Sequence, residues 1–308
     1  VSKTDIGLWA VPIAIIGGAI RVSTPFLFVS LGECITEKSG RINLGLEGTL
    51  VLGAIAGYAV SYHSGSPWIG LLGAAFAGML FGALHGWICK FPRVNDIAIG
   101  IALMMLGTGI AFFFGKAYIQ PVAPRLPAIP LGSWSDIPQL EAALRVNVLF
   151  VIGILLAIAL HWAFRNTRHG LIVRMTGDSA DAARAMGYDV DRVRLLATMV
   201  GGAFAGIGGA YLSLYYPGSW NEGISSGQGL MAVALVIFAR WNPIACFGAA
   251  LLFGGAGALG PALQSVGVSE GYYLFYAAPY VLTLIIMALT VSPGQTLAGA
   301  PSELSITK

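Results

Sequence analysis

The stretch "LGECITEKSGRINLGLEG", residues 31–48, gathers Glu33, Glu37, Lys38, Arg41, Asn43 and Glu47 between two long apolar runs. Its setting decides how it is read. Of the 308 residues, 56% are hydrophobic, 10% are charged and 42 are glycine. A soluble domain carries roughly a quarter charged residues, so this chain lacks the polar surface a soluble protein of its length needs. Apolar runs close to the roughly 20 residues that span a bilayer recur from end to end. The sequence therefore predicts an all-α, polytopic transmembrane helical bundle, one domain over residues 1–308. Within it, "GECITEKSG" is expected to form a cytoplasmic-side turn. "RINLGLEG", weakened by Gly40, Gly45 and Gly48 around it, is expected to re-enter the membrane as a broken or re-entrant helix near 40–50.

The apolar segments run 6–30, 44–62, 69–89, 94–114, 146–164, 195–216, 228–241, 244–266 and 271–292, which makes nine, within a range of eight to ten spans. Basic residues sort the connections. Lys38 and Arg41, Lys90 and Arg93, the six arginines between Arg165 and Arg194, and Arg240 mark alternate connections as cytoplasmic. Connections near 63–68, 217–227 and 267–270 contain no Lys or Arg and are expected outside, as is the long Pro-rich one at 115–145. Nine spans place the N-terminus outside and the C-terminus inside. The first apolar run lacks a basic n-region and a cleavage site, so it is expected to be retained. Tyr58, Tyr62, Trp68, Tyr215, Tyr216, Trp220, Tyr272 and Tyr273 lie near segment ends, as an interfacial belt would. Gly53 with Gly57, and Gly202 with Gly206 and Ala210, have the four-residue spacing of close helix crossings. Cys34, Cys89 and Cys246 are isolated, so they read as small buried hydrophobes and neither disulfides nor metal ligands.

The cytoplasmic connection at about 165–194 contains "TGDSADAARAMGYDV". Asp178 or Ser179 suits an N-cap, "SADAARAM" favours about two helical turns, and Gly187 is placed to stop them. Ala182, Ala183 and Ala185 give this helix low relief, fit for a shallow groove, and its alternating charges do not make a lipid-binding basic run. A solvated connector helix is the other reading. The longer stretch "TGDSADAARAMGYDVDRVRLLATMVGGAFAGIGGAYL" resembles the coupling region of permease subunits of bacterial ABC importers. "GECITEKSGRINLGLEG", "NDIAIGIALMMLGTGIAFFFGK" and "ALVIFARWNP" continue the resemblance, over most of residues 20–290, to the branch handling branched-chain amino acids, simple sugars and nucleosides. The N-terminal signature is most similar to the nucleoside and simple-sugar permeases. The resemblance implies that Ala182, Ala183 and Gly187 enter a groove of an ATPase subunit, with Asp178 standing where the family often has glutamate. It also implies ATP-binding cassette subunits, a second permease subunit (usually a paralogue), an external solute-binding protein and a bacterial inner-membrane location, with no nucleic-acid partner.

No GxxxxGK[ST] loop occurs, and "FFFGKA" at 112–117 has the Gly-Lys pair without the spacing or the hydroxyl. ATP is therefore expected on partner chains, and the chain needs no cofactor of its own. His63, His85, His161 and His169 are scattered, without metal-ligand or triad spacing, so no catalytic role is assigned. Polar groups at membrane depth are costly and mark either a partner or a path. Asn43 and Glu47 would share a helix face if that segment is helical, and Asn95 and Asp96 open the fourth apolar segment. Each has a bland alternative. Glu47 could be satisfied by Arg41 or by free N–H groups at a helix start, and Asn95 and Asp96 could cap a helix. Arg21 is expected to pair with a carboxylate such as Glu33 or Glu47. If Asn43 and Glu47 line a path, replacing them should alter uptake with little loss of assembled protein. A gradient-driven secondary transporter or facilitator, complete in one chain, is the competing function.

Overall fold

A computed structural model describes residues 10–134, 137–264, 274–275, 277–290 and 299–305. The chain runs through α1 (Ala10–Lys38), α2 (Leu46–Ser64), α3 (Pro67–Ile88) and α4 (Asp96–Gly115). After an extended excursion come α5 (Pro138–Ala143) and α6 (Val148–Asn166), then α7 (Arg168–Asp178), α8 (Ala180–Ala185) and α9 (Val190–Leu214). The half-length α10 (Gln228–Phe238) and α11 (Pro243–Gln264) follow, with further helices at Ala278–Thr290 and Ser302–Ser305. Six of the described helices are long and apolar enough to cross a membrane: α1, α3, α4, α6, α9 and α11. α2 has 19 residues but opens on a carboxylate, α10 has 11, and the apolar run at 271–292 is described only in part.

α9 is the axis of the bundle, packed against α1, α2 and α3. Its sequence "GGAFAGIGGA" removes side chains where those neighbours cross. Backbone meets backbone there. A Cβ on Gly53 would lie 2.5 Å from the Cα of Gly206, and one on Gly202 would overlap the carbonyl of Gly78. Without a hydrophobic drive between helices in lipid, such close approach supplies the dispersion contacts that hold the bundle. Large apolar side chains face outward on the other helices, as Leu72 and Phe76 do on α3 and Phe113 on α4. Lipid tails solvate such a surface.

Several expectations are corrected. "GECITEK" is no turn. It forms the last turns of α1, and both Glu33 and Glu37 are buried there. The cost of burying them is offset by donors: Glu33 accepts the N–H of Asn43 at 2.8 Å, and Glu37 accepts the indole N–H of Trp241. The chain breaks instead over Ser39–Gly45, so Asn43 lies outside any helix and shares no helix face with Glu47. Arg21 bonds the carbonyl of Gly17 and lies 5.8 Å over the Tyr216 ring, with no carboxylate partner among the described residues. Tyr58 and Trp220 are buried, and so do not belong to an interfacial belt; Tyr58 donates to the carbonyl of Pro121 at 2.7 Å. Tyr272 and Tyr273 lie outside the described residues.

Several elements were not expected, among them a small sheet and α7. The 115–145 connection carries β1 (Ala128–Pro130), antiparallel to β2 (Arg145–Asn147). Asn147 closes that piece, its amide donating to the carbonyl of Pro127 and its carbonyl oxygen capping α6.

Candidate functional site

α4 serves as a ruler through the bundle. Its first residue, Asp96, pairs with Arg41 at 2.7 Å, at the end where the basic connections gather. Gly48 packs on Met104, about 12 Å along the helix at 1.5 Å per residue. Gly115 packs on Trp220, about 28 Å along. The residues after α9 therefore turn back into the membrane. From the level of Trp220 they descend to Ser225, which donates to Glu47 at 2.6 Å. There α10 begins and runs back to the basic end at Arg240. It is about 16 Å long, half the thickness of the hydrocarbon core.

Glu47 is where the two interruptions meet. Its carboxylate accepts the Ser225 hydroxyl, the Gly227 N–H at 3.0 Å and the Gly229 N–H at 2.6 Å. The last two are free donors of the first turn of α10, where the helix dipole places partial positive charge. Irregular backbone at membrane depth is tolerated where it is buried or lines a cavity. Here it lines one, a cleft of about 520 Å³. One wall holds Glu47, Glu222, Ser225 and Ser226; the other holds Thr108 and Phe112 of α4. The volume lies within the range of roughly 300–1,000 Å³ typical of small-molecule sites. Hydroxyls and carboxylates on one wall, facing Thr108 and the apolar ring of Phe112 on the other, can contact a polar solute briefly without enclosing it.

The other candidate residues have different surroundings. Asn43 is buried, with its side-chain oxygen on the N–H of Gly45 at 2.9 Å, which shapes the break. Asn95 caps α4, accepting from Ile97 and Ala98. Asp96 holds Arg41, which also donates to the carbonyl of Cys89. Arg41, Asn95, Asp96, Arg194 and Glu303 line a second cleft of about 450 Å³ at the basic end. Burial, with the nearby Asp96 charge adding to it, pushes the Cys89 thiol up to about 12, so it stays protonated and inert. All three cysteines are buried and free of disulfides.

At the same end the polar connection folds into α7 and α8. Asp178 closes α7, and Ser179 is the N-cap of α8, accepting from the N–H of Ala182 at 3.2 Å. Gly187 stops α8 in the left-handed region, at φ +84°. Its N–H bonds Arg184 and that of Tyr188 bonds Ala183, the paired closure of a Schellman end. Ala180 and Ala183 turn inward onto Val190 and Met175, leaving Ala182, Ala185, Met186 and Gly187 exposed. A Cβ at Gly187 would meet nothing within 4 Å. We expect Gly187→Trp to leave the fold intact, at a left-handed strain of about 1–2 kcal/mol, while blocking any partner groove. Gly187→Ala carries that strain without the bulk. Uptake should fall at least about tenfold in the tryptophan variant only, a loss of about 1.4 kcal/mol or more in effective docking. Transport assays on both variants check this, and equal losses would point to strain alone.

Sequence reading missed Glu222, Ser225 and Ser226, which it placed in an external loop. The available signal was the apolar run at 228–241, too short to span and preceded by "NEGISSGQG". It also missed α7, whose "RHGLIVRM" alternates basic and apolar residues at helical spacing.

A bundle of membrane-crossing helices, a half-helix opening onto a cleft at membrane depth and a low-relief helix at the basic end define a membrane transport protein. The chain belongs to the family of branched-chain amino acid transport system permease components, whose model matches residues 15–291. It is 34% identical over 261 residues, 83% of this chain and 79% of the relative, to a putative glucose ABC transporter permease of Haloferax volcanii. It is 30% identical to a guanosine ABC transporter permease of Bacillus subtilis, covering 90% of this chain and 91% of the relative. A nucleoside ABC transporter permease of Lactococcus lactis is 28% identical, covering 89% and 91%. Each of the last two organisms has a second, less similar permease protein that also matches. No solved structure matches.

Proposed function

We propose that this chain is the membrane subunit of an ATP-driven importer that takes up a nucleoside or simple sugar through the cleft at Glu47. The half-helix carries this reading: its N-terminus opens, at membrane depth, onto a cleft with hydroxyl and carboxylate groups on one wall. The relatives, named for glucose, guanosine and nucleosides, support the solute class. One ATPase subunit would dock on the exposed face of α8 and a second on the partner permease, and ATP would be bound there and not by this chain. A second permease subunit, a paralogue, would complete the pore, as the second matching permeases in two organisms suggest. An external solute-binding protein would deliver the cargo.

Thr108 faces the cleft from α4, half-buried and away from the α9 core. Thr108→Trp should plug the cleft and cut solute uptake by at least about tenfold, with the melting temperature of the purified protein shifted by no more than about 2 °C. Uptake in proteoliposomes holding the assembled complex should require ATP. Transport by the chain alone under an ion gradient would overturn the reading in favour of a secondary transporter.

A further inference from the structure

The short helix Ser302–Ser305 lies far along the chain from the coupling segment, yet Glu303 reaches it. One carboxylate oxygen accepts the N–H of Ala180, the first residue of α8, at 2.9 Å. The other pairs with Arg194 of α9 at 3.1 Å. That guanidinium also donates to the carbonyl of Ser39, just past α1, at 3.1 Å, and reaches the carbonyl of Thr176 on α7. The side chains of Arg194 and Glu303 are 11% and 23% exposed, sheltered enough for the pair to outweigh a surface ion pair. The segment is itself anchored, with Pro301 buried and Ala300 and Leu304 packed against the cluster that holds Leu31, Ile35 and Trp241.

The weakness this corrects is visible in α8. The chain is extended at Ser179, φ −157°, and left-handed at Gly187, so α8 is a six-residue helix with a bend at each end. Its buried anchors, Ala180 and Ala183, are small. A push on its exposed face would swing it about those bends unless something ties it to the membrane helices.

We propose that Glu303 is a positioning residue for energy coupling. It fixes the N-terminus of α8 to α9 and to the end of α1, so that displacement of α8 moves those helices together. This inference rests on the reading of α8 as the ATPase-docking element. Nothing in the local sequence of either segment announces the link, because it joins positions more than a hundred residues apart.

The test uses two readouts on Glu303→Ala and Glu303→Gln. In the purified full-length chain, Glu303→Ala should speed hydrogen exchange across 180–186 by about tenfold, as loss of a charge-assisted bond at a local opening would. Exchange in the middle of α9 should not change. In the assembled transporter, solute moved per ATP hydrolysed should fall by about fivefold or more, with ATPase subunits still co-purifying. Glu303→Gln keeps one acceptor oxygen and should fall between. Unchanged exchange at 180–186 would overturn the proposal. So would raised exchange with an unaltered transport-to-ATP ratio, or uptake and hydrolysis falling in equal proportion. A parent protein without ATP-dependent uptake would instead overturn the ATPase reading, and with it the coupling role, while exchange would still show whether Glu303 holds α8.

Discussion

Gly202→Val should leave little folded protein in the membrane. A Cβ at Gly202 overlaps the carbonyl of Gly78 and comes within 3.0 Å of the Cα of Gly82, and a Cβ at Gly78 overlaps the carbonyl of Gly202 in return. Every atom in the way is backbone. Relief requires α3 and α9 to separate, and α9 has little room to retreat, because its backbone is as close on its other sides, where a Cβ at Gly209 would overlap the carbonyl of Leu50 and one at Gly201 would crowd Thr36 and Gly32. Overpacking costs about 1–3 kcal/mol where side chains can yield, and more is expected where only backbone can. Total stabilities of about 5–15 kcal/mol leave little reserve. Gly109→Ala on α4 is the control: its Cβ meets nothing within 4 Å, and alanine favours the helix by up to about 1 kcal/mol. Size-exclusion yield and melting temperature after expression check the pair. The close-packing account fails if the two variants behave alike.

That prediction draws on a feature that was legible. The spacing of Gly53 and Gly57, and of Gly202 and Gly206, read as packing, and the crossings lie there. Helix spacing is local, so a local pattern reports it. The same holds for the N-cap and glycine stop of α8, which Ser179 and Gly187 supply. What stayed hidden depends on partners far along the chain. Glu33 and Glu37 looked like a turn because acidic residues are rarely buried, and the donors that help offset their burial, the indole of Trp241 and the backbone N–H of Asn43, lie elsewhere in the sequence. Arg41 was a candidate partner for Glu47, but Asp96 claims it. The re-entrant descent to Ser225 was hidden by the positive-inside rule, which reports on which side a connection starts and ends but not how deep it dips. Asn95 was legible as a cap and is one. Asp96 does not bond the backbone of α4 but holds Arg41 beside it.

Glu47→Ala should cost stability as well as uptake, which departs from the expectation of altered uptake with intact assembly. The carboxylate holds three donors at membrane depth, two of them free N–H groups of α10. Hydrogen bonds to a charged group contribute about 1.5–3 kcal/mol each, and sharing among them makes the sum less than additive. A loss on the order of 3 kcal/mol follows, because the buried N–H of Gly229 is orphaned, while that of Gly227 beside the cleft can turn to water. Glu47→Gln retains one acceptor oxygen but sets an NH₂ group against a donor, so it should fall between. Glu47→Asp is too short by one methylene to reach bonds of 2.6–3.0 Å without moving α2, and moving α2 strains the Gly53–Gly206 crossing. Ser225→Ala removes one donor and leaves the α10 amides held, so it should cost about 1.5 kcal/mol, the low end for a bond to a charged group. The melting temperatures should therefore rank Ser225→Ala above Glu47→Gln above Glu47→Ala. Uptake should follow the same order, since the wall of the cleft moves with the start of α10. If Glu47→Ala lost uptake at an unchanged melting temperature, the carboxylate would be acting on the solute and not on the half-helix. A raised KM in Glu47→Gln at unaltered stability would say the same.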